Sequence, residues 1–306
     1  MRSIFLTAPV LTMAVMLIGC ERPHPPNFGV KIDPALAMMV PSDTVLMVGT
    51  RVEELVKTPV YLKYVAGRSI PQIDEFARYT KLDPRKELWE LLFVSNGKQS
   101  VLLGRGKFSD QLEDPRAQKG NPNVSDYKGL TIVGTGNTAV MFINTSTAAV
   151  GSPEALRALA DQREHSGGPP ASLVALMKDL PKEAQFWAVY LGGPVKLPFD
   201  DNSNLGNINK LLSSVQSGSL YLDLRTGVKG AAQGTCTSEQ AAQQVHDALK
   251  ALIGFGRLSV KPGQEELLPV YDSIQVTQNT NQAKVQIDVP QDLVDKFLRV
   301  WLPGPL

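Results

Sequence analysis

Three histidines, His24, His165 and His246, and two cysteines, Cys20 and Cys236, bound the metal and nucleophile chemistry open to this chain of 306 residues. A zinc or general-base site needs such groups in pairs at ligand spacing, and no two of the histidines stand that way. His246 neighbours Asp247 on a predicted helix and lies off its apolar stripe, which reads as a solvated side chain. Cys236 directly precedes the same helix. A helix N-terminus can lower a thiol pKa and make it reactive, but a small, half-buried strand residue is the favoured reading.

The glycine-rich stretches are the next candidates. Gly134-Thr135-Gly136-Asn137-Thr138-Ala139 fits the G-x-G-x-x-A pattern of dinucleotide sites, yet Val140-Met141-Phe142-Ile143 follows as a return strand. A phosphate site needs a helix N-terminus at that point, so a hairpin turn is expected. Gly104-Arg105-Gly106-Lys107 is basic and glycine-rich but lacks phosphate-loop spacing, and is read as a strand end. Asp200-Asp201-Asn202-Ser203-Asn204 offers calcium-compatible oxygens without the glycine and closing glutamate of a helix-loop-helix site. No G-x-S-x-G elbow occurs, and the acids are dispersed or clustered at turns, as in Glu265-Glu266. Trp89, Trp187 and Trp301 are embedded in apolar patterns and are expected in the core. The expectation is therefore no catalytic residue, no cofactor and no metal.

Cys20 is the exception to this negative reading. Met1-Arg2-Ser3 is cationic, Ile4 to Met16 is mostly apolar, and Leu17-Ile18-Gly19-Cys20 closes the stretch with a small residue before the cysteine. The apolar run is broken by Thr7, Pro9 and Thr12 and is too short for a spanning helix. Leu17-Ile18-Gly19-Cys20 resembles the lipobox of bacterial lipoproteins. That resemblance covers only the first 20 residues and implies a signal peptide over 1–19, cleavage before Cys20, and lipid on its thiol and amino group. Several acyl chains on one residue anchor stably, at about 0.8 kcal/mol per buried methylene. Glu21 stands where lipoproteins of two-membrane bacteria carry an aspartate for inner-membrane retention, so the resemblance implies the periplasmic face of the outer membrane in such a host.

From Cys20 onward the charge is balanced, because Arg2 is the only charged side chain ahead of it and the whole chain carries 31 basic and 30 acidic residues. A nucleic-acid partner calls for a basic face, so none is expected. With Cys20 acylated, Cys236 has no partner for a disulfide. Hydrophobic residues make up 43% and charged ones 20%, enough for a folded body held to a membrane through Cys20. The function expected is a lipid-anchored extracytoplasmic protein of the cell envelope, a non-catalytic binding or assembly module with an envelope protein as partner. The alternative is a carrier of an apolar small molecule or lipid, and an enzyme of unrecognised type ranks third.

The elements repeat in order. Residues 20–33, with Pro23, Pro25 and Pro26, read as an extended tether of about 3.1 Å per residue. A first α+β domain is expected over 34–165, a linker over 166–170 around Ser166-Gly167-Gly168-Pro169-Pro170, and a second α+β domain over 171–306. Each half starts with a short apolar helix before a strand, Ala35–Val40 before Thr44–Val48 and Leu173–Met177 before Gln185–Tyr190. Helical segments follow around 52–79 and 205–215, then strand pairs at 91–94 with 100–103 and at 220–224 with 230–235. Further helices start near Ser109 and at Thr237, where Thr237-Ser238-Glu239-Gln240 fits a capping box and Gly254 offers an end. Each half closes with a hairpin and a helix, the first at 127–143 and from Ser152, the second at 271–289 and after Pro290. The fold class expected is α+β, two similar domains that a duplication would explain, with mainly antiparallel sheets and helices on one face.

Overall fold

The computed structural model describes residues 29–30, 32–71, 73–74, 77, 83–108, 124–135, 137–163, 168–193 and 213–301. The expected signal peptide, Cys20, most of the tether, His24, His165, Asp200–Asn204, the helix expected near Ser109 and most of the one expected around 205–215 lie outside the described residues, and the described end of the latter is a turn that leads into a strand at Val215.

Within them the chain is α+β, as the pattern predicts, and its strands form one antiparallel sheet. The first half contributes β1 (Leu46–Thr50), β2 (Leu88–Ser95), β3 (Ser100–Gly106), β4 (Val124–Tyr127), β5 (Leu130–Thr135), β6 (Thr138–Asn144) and β7 (Thr147–Gly151). The second contributes β8 (Phe186–Tyr190), β9 (Val215–Asp223), β10 (Gly227–Cys236), β11 (Ile274–Asn279) and β12 (Gln282–Pro290). The spatial order is β11-β12-β10-β9-β8-β1-β2-β3-β7-β6-β5-β4. The two halves meet where β1 pairs with β8, Met47 opposite Val189 and Gly49 opposite Trp187.

Two departures from the predicted strands have local causes. Lys128 (φ 49°) and Gly129 (φ 75°) both take positive φ, so the run expected over 127–133 breaks into a tight hairpin between β4 and β5. β7, absent from the sequence reading, is made of Thr147-Ala148-Ala149-Val150-Gly151 and is buried on both faces at its start. Such a strand shows neither alternation nor a β-branched run.

The helices among the described residues are α1 (Pro34–Ala37), α2 (Val52–Leu55), α3 (Pro59–Tyr64), α4 (Pro84–Glu87), α5 (Pro153–Gln162), α6 (Ala171–Met177), α7 (Glu239–Leu258), α8 (Leu268–Asp272) and α9 (Gln291–Trp301). Ser152 starts α5 by accepting the Ala155 N–H, with Pro153 at the first helical position. In α7 the cap is Ser238, accepting from Ala241, one residue later than the capping box predicts. The helix also runs past Gly254 to Leu258, and Gly256 lets the Tyr271 ring lie where a Cβ would come within 2.6 Å of it.

Register decides which face each helix covers. Met47, Leu92, Val94, Leu103, Trp187 and Val189 share one face, and α1, α5 and α6 bury Leu36, Leu156, Leu159, Leu173 and Met177 against it. At the β10–β12 end that face carries Gln233, Lys284 and Gln286, while Ala232, Val285 and Ile287 point to the other side. There α8 and α9 pack Val270 and Val294 on Val289, and α7 packs Ala241, Ala242 and Val245 on Cys236 and Ala283. The first half closes with the four strands β4–β7 before α5 and the second with the two strands β11 and β12 before α9, and these closing helices lie on opposite faces of one shared sheet.

Candidate binding surface

The residues singled out for chemistry do not converge among the described residues. Cys236 ends β10 fully buried, its N–H donating to the Asn281 carbonyl at 2.7 Å. Burial pushes the thiol pKa up, the opposite of what activation at a helix N-terminus requires. His246 sits on α7 with its Nδ1 2.9 Å from the Asp247 carboxylate. β5 and β6 pair as a hairpin with Gly134 opposite Ala139, so Thr138–Asn144 is a return strand and not a helix. Trp187 is fully buried, as expected, whereas Trp89 is 42% exposed and lies under the Arg105 guanidinium, 5.8 Å from ring to Cζ. Among the described residues no three His, Cys, Asp or Glu side chains form a group that could hold a metal ion.

Arg105, read from sequence in a glycine-rich strand end, is engaged on the helix-covered face of the first half. Its Nε donates to Asp33 at 2.9 Å and its guanidinium to the Ser146 carbonyl and Thr147 Oγ1 at 2.8 and 2.7 Å. Asp33 in turn caps α1 through the Ala35 N–H at 2.7 Å, and its own N–H donates to both Glu90 oxygens at 3.1 Å. Burial pushes the Glu90 carboxyl up to about 7, with the neighbouring Asp33 carboxylate adding to the rise and the Asp33 N–H opposing it. This constellation fastens the start of the described body to β2, β3 and β7. The Arg105 Nε and Nη1 are both held within the chain, by Asp33, Ser146 and Thr147.

Two depressions accompany it. One, of about 80 Å³, lies between Thr44, Ser95, Asn96, Gln99, Leu159 and Gln162. The other is open, about 450 Å³, and is bordered by Tyr61, Arg68, Ser69, Asp83, Arg85 and Lys86. Arg85 there is held at 2.9 Å by Asp74 and by Asp83. Neither is an enclosed apolar chamber.

The feature that sequence reading missed is on α7. Helical spacing places Ala241, Ala242, Val245, Ala248, Leu249, Leu252 and Ile253 on one predicted stripe, and its upper part, Ala241, Ala242 and Val245, does face the sheet. Toward the C-terminus Leu252 is 41%, Phe255 66% and Leu258 86% exposed. At 100° per residue these three, spaced by three, wind along one flank of the helix. The signal was present, since the run after Leu249 is apolar on more sides than one sheet contact can bury. Which part would stay uncovered depends on where α8 packs, against Gly256 through Tyr271. No helix among the described residues is long and apolar enough to cross a membrane.

No protein-family model matches this chain, and no curated protein matches it. Among solved structures, TP0453 in crystal form III has a TM-score of 0.50 at 11% identity, over 88% of this chain and 99% of that one. Crystal form I of TP0453 has a TM-score of 0.45 at 10% identity, over 89% of this chain and 99% of that one. The first likeness supports the α+β fold and extends to fold alone.

Proposed function

We propose that this chain is a lipid-anchored, extracytoplasmic, non-catalytic binding or envelope-assembly module, tethered through Cys20 and engaging a protein partner with the exposed flank of α7. The observation that carries the reading is the run Leu252, Phe255 and Leu258, three large apolar side chains left to solvent on the longest helix described. Exposed apolar surface costs solubility, and large contiguous stretches of it mark interaction sites. The dispersal of His246, Cys236 and the acids supports a binding role, since acid-base or nucleophilic chemistry needs convergent groups. The lipobox-like Leu17-Ile18-Gly19-Cys20 supports the anchor, and the Pro-rich residues after it would let the body stand off the bilayer.

The test has two arms in the host cell. Cys20→Ser is expected to abolish incorporation of labelled palmitate and release the protein from the membrane fraction. A photo-crosslinking side chain at Phe255 is expected to give one discrete protein adduct, and one at exposed Gln244 of the same helix none. Retention and labelling of the Cys20→Ser protein refute the anchor. Equal adduct patterns from 255 and 244 refute the binding surface.

A further inference from the structure

We propose that β11 is a docking strand for a second copy of this chain, the two β11 strands pairing antiparallel about a two-fold axis at Val276. β11 ends the sheet on one side, and it is joined to β12 by the two-residue turn Thr280-Asn281. In such a hairpin the residues flanking the turn exchange hydrogen bonds and pairs then alternate. Asn279, Thr277 and Gln275 therefore bond to β12, and the N–H and C=O groups of Ile274, Val276 and Gln278 aim away from the sheet. None of these outward groups has a partner among the described residues.

Folded proteins blunt such an edge with charge, proline, a bulge or brevity. The opposite edge, β4, is four residues long and carries Asp126. Ile274-Gln275-Val276-Thr277-Gln278-Asn279 is six residues long and has neither charge nor proline, and its pairing with β12 runs without a bulge. A self-pairing centred on Val276 sets Ile274 opposite Gln278 of the other copy and uses every outward donor and acceptor of the three residues. It sets Gln275 opposite Thr277 of the other copy on the face that α7 does not cover, where both side chains are exposed. The occupant is a second copy because the strand is its own complement, with no charge to oppose itself and outward groups that match under the two-fold.

The helix layer allows this approach. α7 packs on β11, β12 and β10 on one side of the sheet, opposite the face that carries Gln275 and Thr277, so the side chains that would meet across the junction on that face are not covered by it.

Sedimentation equilibrium of the full chain in density-matched detergent tests the pairing. The wild type is expected to be a reversible dimer. Q275K/T277K sets like charges directly opposite twice across the junction and is expected to weaken dimerisation about tenfold. Q275E/T277K sets Glu opposite Lys and is expected to restore wild-type association. Both variants alter only exposed side chains and both set the lysine of T277K opposite Lys284 of β12, so the difference between them is what reads the junction, and an unchanged far-ultraviolet circular dichroism spectrum verifies the fold. A wild type that is monomeric at every loading concentration overturns the proposal. So does a dimer indifferent to Q275K/T277K, or a Q275E/T277K protein as weak as the double lysine.

Discussion

Glu90 shows how a single carboxyl can set the pH response of this molecule. It accepts the Asp33 N–H while half-buried on β2, and burial pushes its pKa up to about 7 from the ordinary 4.5. An acid whose folded pKa lies above its unfolded one binds its proton more tightly when folded. Its contribution therefore favours folding most below about 4.5 and is lost as pH rises through about 7. Arg51 lowers the value and Glu53 raises it, both as minor influences beside burial. Glu90→Gln keeps an acceptor for Asp33 and removes the titration. In urea unfolding, the variant is expected to gain about 1–2 kcal/mol over wild type between pH 4.5 and pH 8, after discounting for solvent that reaches the site. A difference that stays constant across that range refutes the assignment. Neither Glu90 nor its partners could have been found by spacing, because Asp33 and Glu90 are 57 residues apart and Asp33 and Arg105 are 72 apart.

At the scale of elements, α7 illustrates what local rules reach. Its existence and its sheet-facing residues follow from helical periodicity, since Ala241, Ala242, Val245 and Leu249 recur on one side. Its limits follow from contacts. Ser238 takes the cap because its hydroxyl reaches the Ala241 N–H at 3.1 Å, and Thr237, whose N–H is already bound to the Ser214 carbonyl at 3.0 Å, belongs to the loop that leads in. Ser238→Ala is accordingly expected to cost about 1 kcal/mol in chemical denaturation and Thr237→Ala only a few tenths. The reverse ranking would restore the cap to Thr237. β7 makes the complementary point, because Ala148 and Ala149 carry weak strand preference and become a strand by lying between β3 and β6.

Over the whole molecule the controlling contact is the junction of β1 and β8. Trp187 from β8 is fully buried and lies across Gly49 of β1, where a Cβ would come within 2.1 Å of the indole. Glycine is required here by close approach, not by φ. Gly49→Ala is expected to destabilise the fold by about 3 kcal/mol, the upper range for overpacking a core, and to change Trp187 fluorescence in the folded state. A variant with wild-type midpoint and emission would show that the indole can move aside. Periodicity, turn residues and capping signals in this sequence determined the α+β class, the antiparallel hairpins and most helices, because those follow from neighbours within a few residues. The joining of both halves into one sheet, the opposite faces taken by α5 and α9, the Asp33–Glu90–Arg105 contacts and the exposure of Leu252, Phe255 and Leu258 were decided by tertiary structure alone. Each depends on which surfaces meet across tens to hundreds of residues, and an apolar side chain carries no local mark of whether a partner surface within its own chain will cover it.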